Sequence, residues 1–258
     1  MATFITSKSI GQNIGVNAQT STGYWKYNHD GTDSSVFEDG KQTITVANAN
    51  GEFTIIPCLS DGTVSGGLTQ LNLENNQLTS FDGTGLSGLT QLGLSNNQLT
   101  SFDGTGLSGL TYLNLSENQL TSFDGTGLSG LNQLYLSNNQ LTSFDGTDLT
   151  SLIELYLGGN QLTSLDVLPM VSLIKLFLTD PYGLNGNPMT AVANNTILSG
   201  LVTKNSGGGG NFYTSGGRTS AGTSDYDTLI GDGWNLLGLD LVITSSGKLR
   251  VKGVNTSQ

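Results

Sequence analysis

Residues 68–88 read LTQLNLENNQLTSFDGTGLSG, and residues 89–109 follow as LTQLGLSNNQLTSFDGTGLSG. The unit is 21 residues long and returns at Leu110, Leu131, Leu152 and Leu173. A fixed period in the twenties predicts a solenoid, in which each unit buries its apolar side only by stacking on its neighbours. Such a chain displays rows of side chains, and its function is expected in those rows.

Within each copy the apolar pattern is L-x-x-L-x-L-x-x-N-x-L. Leu68, Leu71, Leu73, Asn76 and Leu78 set it, and five successive copies keep it. The L-x-L segment alternates with period two, so it predicts a short strand with leucines facing inward. Stacked copies place these strands in parallel, about 4.8 Å apart. Asn76, Asn97, Asn118, Asn139 and Asn160 follow the strands, where the chain must turn. A carboxamide both donates and accepts, so this column is expected to form a ladder that satisfies buried turn backbone. Phe81, Phe102, Phe123 and Phe144 predict an aromatic spine that ends at Leu165. The glycine-rich remainder is too short for a regular helix and predicts tight turns closed by Leu86, Leu107, Leu128 and Leu149.

These residues resemble the leucine-rich repeat family over about residues 59–180. The implied fold is an α/β-type solenoid, mostly β, with a parallel strand face. In the sixth copy Pro181 stands where the asparagine belongs, and the array is expected to end there.

The flanks are read as two further segments. Residues 1–58 do not repeat and alternate apolar with polar side chains. They predict an antiparallel β module that caps the first strand. Asn50-Gly51 separates 42–47 from 52–56 and signals a hairpin. Tyr24, Trp25 and Tyr27 are either its core or an aromatic patch. Residues 181–258 predict a cap of helix and strands ending in a β-hairpin. The helix is expected over 190–203, with Val192, Ile197, Leu198 and Leu201 on its apolar face. A capping box at Ser224–Asp227 and strands at 234–237, 239–244 and 248–251 follow. This succession suits an irregular continuation of the solenoid.

Charge narrows the partners. The chain has 258 residues, 11% of them charged, and a formal net charge of −11. Eleven acids and no Lys or Arg lie between Gln42 and Val171. That field argues against nucleic acid or an anionic membrane as the ligand of the repeats. No run of 18 apolar residues predicts membrane insertion. No long apolar h-region follows Met1, so the expectation is a virion or cell surface reached without a cleaved signal peptide, or the cytoplasm if neither.

Searching for chemistry gives no enzyme motif, and no cofactor is implied. His29 is the single histidine and Cys58 the single cysteine. Gly207–Gly210 lacks the Gly-Lys-Ser/Thr of a phosphate loop and reads as a linker. The loop at His29, Asp30, Asp33, Glu38 and Asp39 matches no calcium loop and reads as solvated. Asp82, Asp103, Asp124, Asp145 and Asp166 form a column. The D-G-T context favours Asx-turns over a shared row of calcium ions. No metal site is assigned.

The outward strand positions form three columns. Gln70, Gln91, Tyr112, Gln133, Glu154 and Lys175 make the first. Asn72, Gly93, Asn114, Tyr135, Tyr156 and Phe177 make the second. Glu74, Ser95, Ser116, Ser137, Gly158 and Thr179 make the third. Aromatics gather toward the C-terminal end. Tyrosines beside amides and hydroxyls suit a protein or glycan surface, although strand propensity alone also selects tyrosine. The binding residues are therefore expected to be Tyr112, Tyr135, Glu154, Tyr156, Lys175 and Phe177. The N-terminal module, the TSFDGTGLSGLT-type repeats and the SGGRTSAGTSDYDTLIGDGW-type tail are similar to bacterial and bacteriophage repeat proteins. This second resemblance implies an adhesive surface protein, or else an architectural virion protein whose repeats pack against neighbouring subunits.

Overall fold

From the second copy on, each 21-residue unit contributes one three-residue strand, because only the L-x-L segment can face leucines inward while pairing on both sides. The computed structural model describes the backbone of residues 2–6, 13–20, 24–29, 32–33, 37–38, 40–45, 52–58, 67–179, 186–204, 210–214, 218–219, 225, 227, 235–237, 241–243 and 249–251. Side chains are described mainly within 67–179 and 186–202.

In chain order the elements are β1 (Ala2–Thr6), β2 (Asn13–Thr20), β3 (Tyr24–His29), β4 (Thr32–Asp33), β5 (Phe37–Glu38), β6 (Gly40–Thr45) and β7 (Glu52–Cys58). The repeats add β8 (Leu68–Asn72), β9 (Leu78–Asp82), β10 (Gln91–Gly93), β11 (Tyr112–Asn114), β12 (Gln133–Tyr135), β13 (Glu154–Tyr156) and β14 (Lys175–Phe177). Helix α1 (Ala191–Lys204) precedes β15 (Asn211–Tyr213), β16 (Arg218–Thr219), β17 (Asn235–Leu237), β18 (Leu241–Ile243) and β19 (Leu249–Val251).

The strands β8 and β10 to β14 pair in parallel, each residue beside its equivalent 21 positions on. One-residue slippage would turn every leucine outward, so the buried face fixes this register. Leu92, Leu113, Leu134, Leu155 and Leu176 are fully buried in one continuous core. Burying each such side chain contributes about 1.5–3 kcal/mol. The phenylalanine spine is present. Phe81, Phe102, Phe123 and Phe144 stack with centroids 6.3, 6.4 and 6.0 Å apart, and Leu165 is buried at its end.

Two consecutive turns replace a helix in the glycine-rich half. Leu107 N–H donates to Gly104 O, and Leu110 N–H donates to Leu107 O, both at 3.0 Å. Gly106, the third residue of the first turn, lies at φ +82°. A type II turn needs positive φ at that position, which explains glycine there.

The N-terminal strands dock on both sides of the first repeat. β2 pairs antiparallel with β8, and β6 continues that sheet. β1 pairs antiparallel with β9, while β7 and β3 extend the second sheet. The hairpin expected across Asn50-Gly51 is not formed. β6 pairs with β2, whereas β7 is flanked by β1 and β3, so the two segments belong to different sheets. Both edges of β7 are filled by longer-range strands, and these override the local turn signal. The side chains of Tyr24, Trp25, Tyr27 and the His29 loop lie outside the described residues.

The solenoid also continues past the sixth copy. β15 pairs in parallel with β14, and β17 pairs with β15. Pro181 does not end the array, because Asn187 takes the vacant ladder position. It accepts from Leu162 N–H at 2.9 Å and donates to Leu157 O and Leu178 O at 2.8 and 2.9 Å. Helix α1 spans the wider return. Thr190 Oγ1 caps it by accepting from Ala193 N–H at 3.1 Å. Ile197, Leu198 and Leu201 are buried, but Val192 is 66% exposed and does not join the apolar face. β18 and β19 form an antiparallel pair. Most of the segment Ser224–Asp227 lies outside the described residues.

Candidate functional site

The ladder comes first, since it holds the strand face rigid. Asn118 Oδ1 accepts from Leu99 N–H at 3.0 Å. Its Nδ2 donates to Leu94 O and Leu115 O at 3.0 Å and to Ser116 O at 3.2 Å. Each rung thus ties a repeat to the one before it. Asn97, Asn139 and Asn160 make the equivalent bonds. Asn76 N–H and Leu78 N–H both donate to Asn97. The five side chains are buried.

The residue before each rung takes a left-handed turn. Asn75, Asn96, Glu117 and Asn138 lie at φ 62°, 53°, 56° and 56°, and Gly159 follows at 69°. Asparagine tolerates this region better than most L residues.

On the opposite half of each repeat, the aspartate column forms Asx-turns. Asp103, Asp124 and Asp145 accept from Thr105, Thr126 and Thr147 N–H at 2.8, 2.9 and 2.9 Å. Asp82 and Asp166 do the same with Thr84 and Leu168. The threonine hydroxyls of Thr84, Thr126 and Thr147, and for Asp103 chiefly the Thr105 N–H, favour the charged form and, with the other bonds from the same threonines, hold Asp82, Asp103, Asp124 and Asp145 below the usual carboxylate range.

The outward strand face carries the aromatic stack. Tyr112 and Tyr135 meet at 5.4 Å, tilted by 44°. Tyr135 stacks on Tyr156 at 4.5 Å, and Tyr156 stacks on Phe177 at 4.4 Å. Tyr112 stands one column away from the others, so it meets Tyr135 diagonally. Lys175 Nζ binds Glu154 Oε1 at 2.6 Å, and Tyr156 OH donates to Glu154 Oε2 at 3.3 Å. Burial raises the hydroxyls of Tyr112, Tyr135 and Tyr156 above the ordinary tyrosine range. Glu74 adds to this at Tyr112, and Glu154 at the other two.

Phe177 is only 9% exposed, so it supports the stack and is not displayed by it. The continuation by β15 explains this, since Phe177 is no longer a terminal residue. Register places Tyr213 beside Phe177. That backbone position is one repeat spacing could not reveal, because an irregular return precedes it. The displayed rings are Tyr112, Tyr135 and Tyr156, all half-buried.

At the N-terminal end the same face bears a polar pocket of about 140 Å³, lined by Asn17, Asn72, Glu74, Gln91, Gly93 and Tyr112, among others. Of these, sequence reasoning singled out only Tyr112, since the others, one by one, are small or polar.

A family description for leucine-rich repeats, covering two copies, matches residues 108–151. That span holds the third and fourth copies, and the fold is a leucine-rich repeat solenoid. No curated protein matches the chain. Among solved structures it is similar to the functional domain of InlJ from Listeria monocytogenes, which includes a cysteine ladder, at 28% identity and a TM-score of 0.42, over 46% of this chain and 28% of that one. An internalin (inlF) from the same species matches at 21% identity and a TM-score of 0.49, over 62% and 44%. A leucine-rich repeat protein of Leptospira interrogans matches at 20% identity and a TM-score of 0.45, over 62% and 45%. The chain spans less than half the length of each.

Proposed function

We propose that this chain is a non-catalytic binding protein that recognises a protein or glycan surface through its strand face, as a component of a bacterial or phage surface. The observation that carries this reading is the stack of Tyr135 on Tyr156 at 4.5 Å. It is a rigid aromatic surface, half-buried and held on a sheet whose turns are locked by the ladder. Binding energy concentrates in such pre-ordered aromatic groups. The double variant Tyr135→Ser, Tyr156→Ser should keep its fold, because both side chains point away from the leucine core. It should lose attachment of the labelled protein to bacterial cells and any glycan-array signal shown by wild type. Attachment equal to wild type would sink the reading.

A second reading rests on the opposite side of the last repeat. Leu168, Val171 and Ile174 are 53, 61 and 41% exposed, and Val192 on α1 is 66% exposed. Isolated exposed apolar residues are ordinary. Four near the C-terminal end suit an architectural subunit packed against neighbours in a virion. Self-association by native mass measurement, abolished by Val171→Asp, would favour this reading.

A further inference from the structure

The first two repeats are identical over 21 residues except at two positions, Asn72 against Gly93 and Glu74 against Ser95. Both lie on the strand face, and they build one feature. A side chain on Gly93 would bring its Cβ to 3.2 Å from Asn72 Cγ and Nδ2 and from Glu74 Oε1. Glycine leaves that space open. The Glu74 carboxylate lies across β10 and accepts from Asn114 Nδ2 at 3.3 Å, two strands away. Asn72 Oδ1 fixes the start of this arm by accepting from Glu74 N–H at 3.0 Å. Tyr112 closes one side, and its hydroxyl is raised partly by the Glu74 charge.

We propose that this pocket receives the cationic head of an arginine or lysine side chain from the partner. Glu74 is half-buried, and among the described residues no cation pairs with it. Between Gln42 and Val171 the chain carries eleven acids and no Lys or Arg, a balance that favours a cation near the repeats; in register, Lys41 of β6 lies beside Asn17. A guanidinium offers a fork of donors to a carboxylate and neighbouring amide oxygens, such as those of Gln70 and Gln91. The Tyr112 ring beside it provides a cation–π wall. A pocket of about 140 Å³ admits one side-chain head, not a larger ligand. The pocket deepens the reading of the strand face as a binding face, and it adds a charged anchor beside Tyr112, the N-terminal ring of the aromatic stack.

The test is an NMR titration of the full chain with three probes. These are N-acetyl-arginine amide, its neutral isostere N-acetyl-citrulline amide, and N-acetylglucosamine. The expected result is a saturable shift of the Gly93 amide and the Asn72 and Gln91 side-chain amides with the arginine probe. The citrulline probe should bind at least tenfold more weakly. Glu74→Gln keeps an acceptor for Asn114 and should abolish the difference between the two. Gly93→Ala should lose binding by filling the floor, and it tests the site independently should Glu74→Gln fold poorly. No shift, an equal response to citrulline, or a response to the sugar alone would overturn the proposal. Retention of the arginine response in the Tyr135→Ser, Tyr156→Ser variant separates this site from the aromatic stack, so either reading can fail without the other.

Discussion

The two halves of each repeat behave differently. The turn half, S-F-D-G-T-G-L-S-G, recurs almost unchanged through the first copies, while the strand face changes at every step. The turn half stacks phenylalanines, closes tandem turns and caps them with aspartates, and each of these roles accepts few side chains. The strand face meets only solvent and its own neighbours in the described structure. Its composition is therefore free to drift from amides at β8 to stacked rings at β13. The lesson is that side chains that hold the stack are set by geometry, and side chains that face outward are left free by it.

The largest expected effect tests the holding half. Asn118→Ala removes one acceptor and the donors to three carbonyls. It should cost about 1–3 kcal/mol of stability, because it leaves buried backbone groups unpaired. Ser116→Ala, one step away on the strand face, should cost much less. Asn187→Ala should behave like Asn118→Ala if the ladder truly resumes after Pro181. Thermal melts of the three variants decide this, and equal melting temperatures for Asn118→Ala and Ser116→Ala would erase the contrast between the halves.

A smaller effect belongs to the displayed rings. The hydroxyls of Tyr112, Tyr135 and Tyr156 titrate late, since burial and nearby carboxylates disfavour the phenolate. Their folded values lie above the unfolded value of 10.0. The stability they contribute is thus fully present below that pH and is lost as pH rises through the raised values. Absorbance at alkaline pH should show a late-titrating tyrosine fraction that disappears in the triple Phe variant of these positions. A single titration at the ordinary tyrosine pKa would mean that the stack is open to water.

The smallest effect concerns the aspartate column. Each carboxylate is engaged by a local N–H, so excess chelator should leave the melting temperature unchanged. A drop of several degrees, reversed by calcium, would show that the column holds a cation in the folded state. Asp82, Asp103, Asp124 and Asp145 titrate below their unfolded value of 3.8. Their support is present above that value and fades as pH falls below it, which a melt series in acid checks.

Much of the fold was legible because a strict period makes equivalents meet. Leu92 sits on Leu71 and Leu113 for the same reason that Asn97 meets Asn76, and helix α1 begins where Thr190 can cap it. The polar pocket was not legible. Glu74 and Asn114 are 40 residues apart, and Gly93 acquires its role only when three strands lie side by side. Asn187 was hidden by the insertion that displaces it from the expected position. The signal that could have found it is Asn187 followed two residues later by Met189, which is buried where a leucine would stand.

The sequence by itself determined the repeat, its register and the side chains that lock one coil to the next, because stacking identical units leaves only one way to bury every leucine. Tertiary structure alone decided which strands adjoin the first repeat, where the ladder resumes and which outward side chains converge. Those outcomes depend on pairings between segments with no shared period, and the competition among available strand edges settles them.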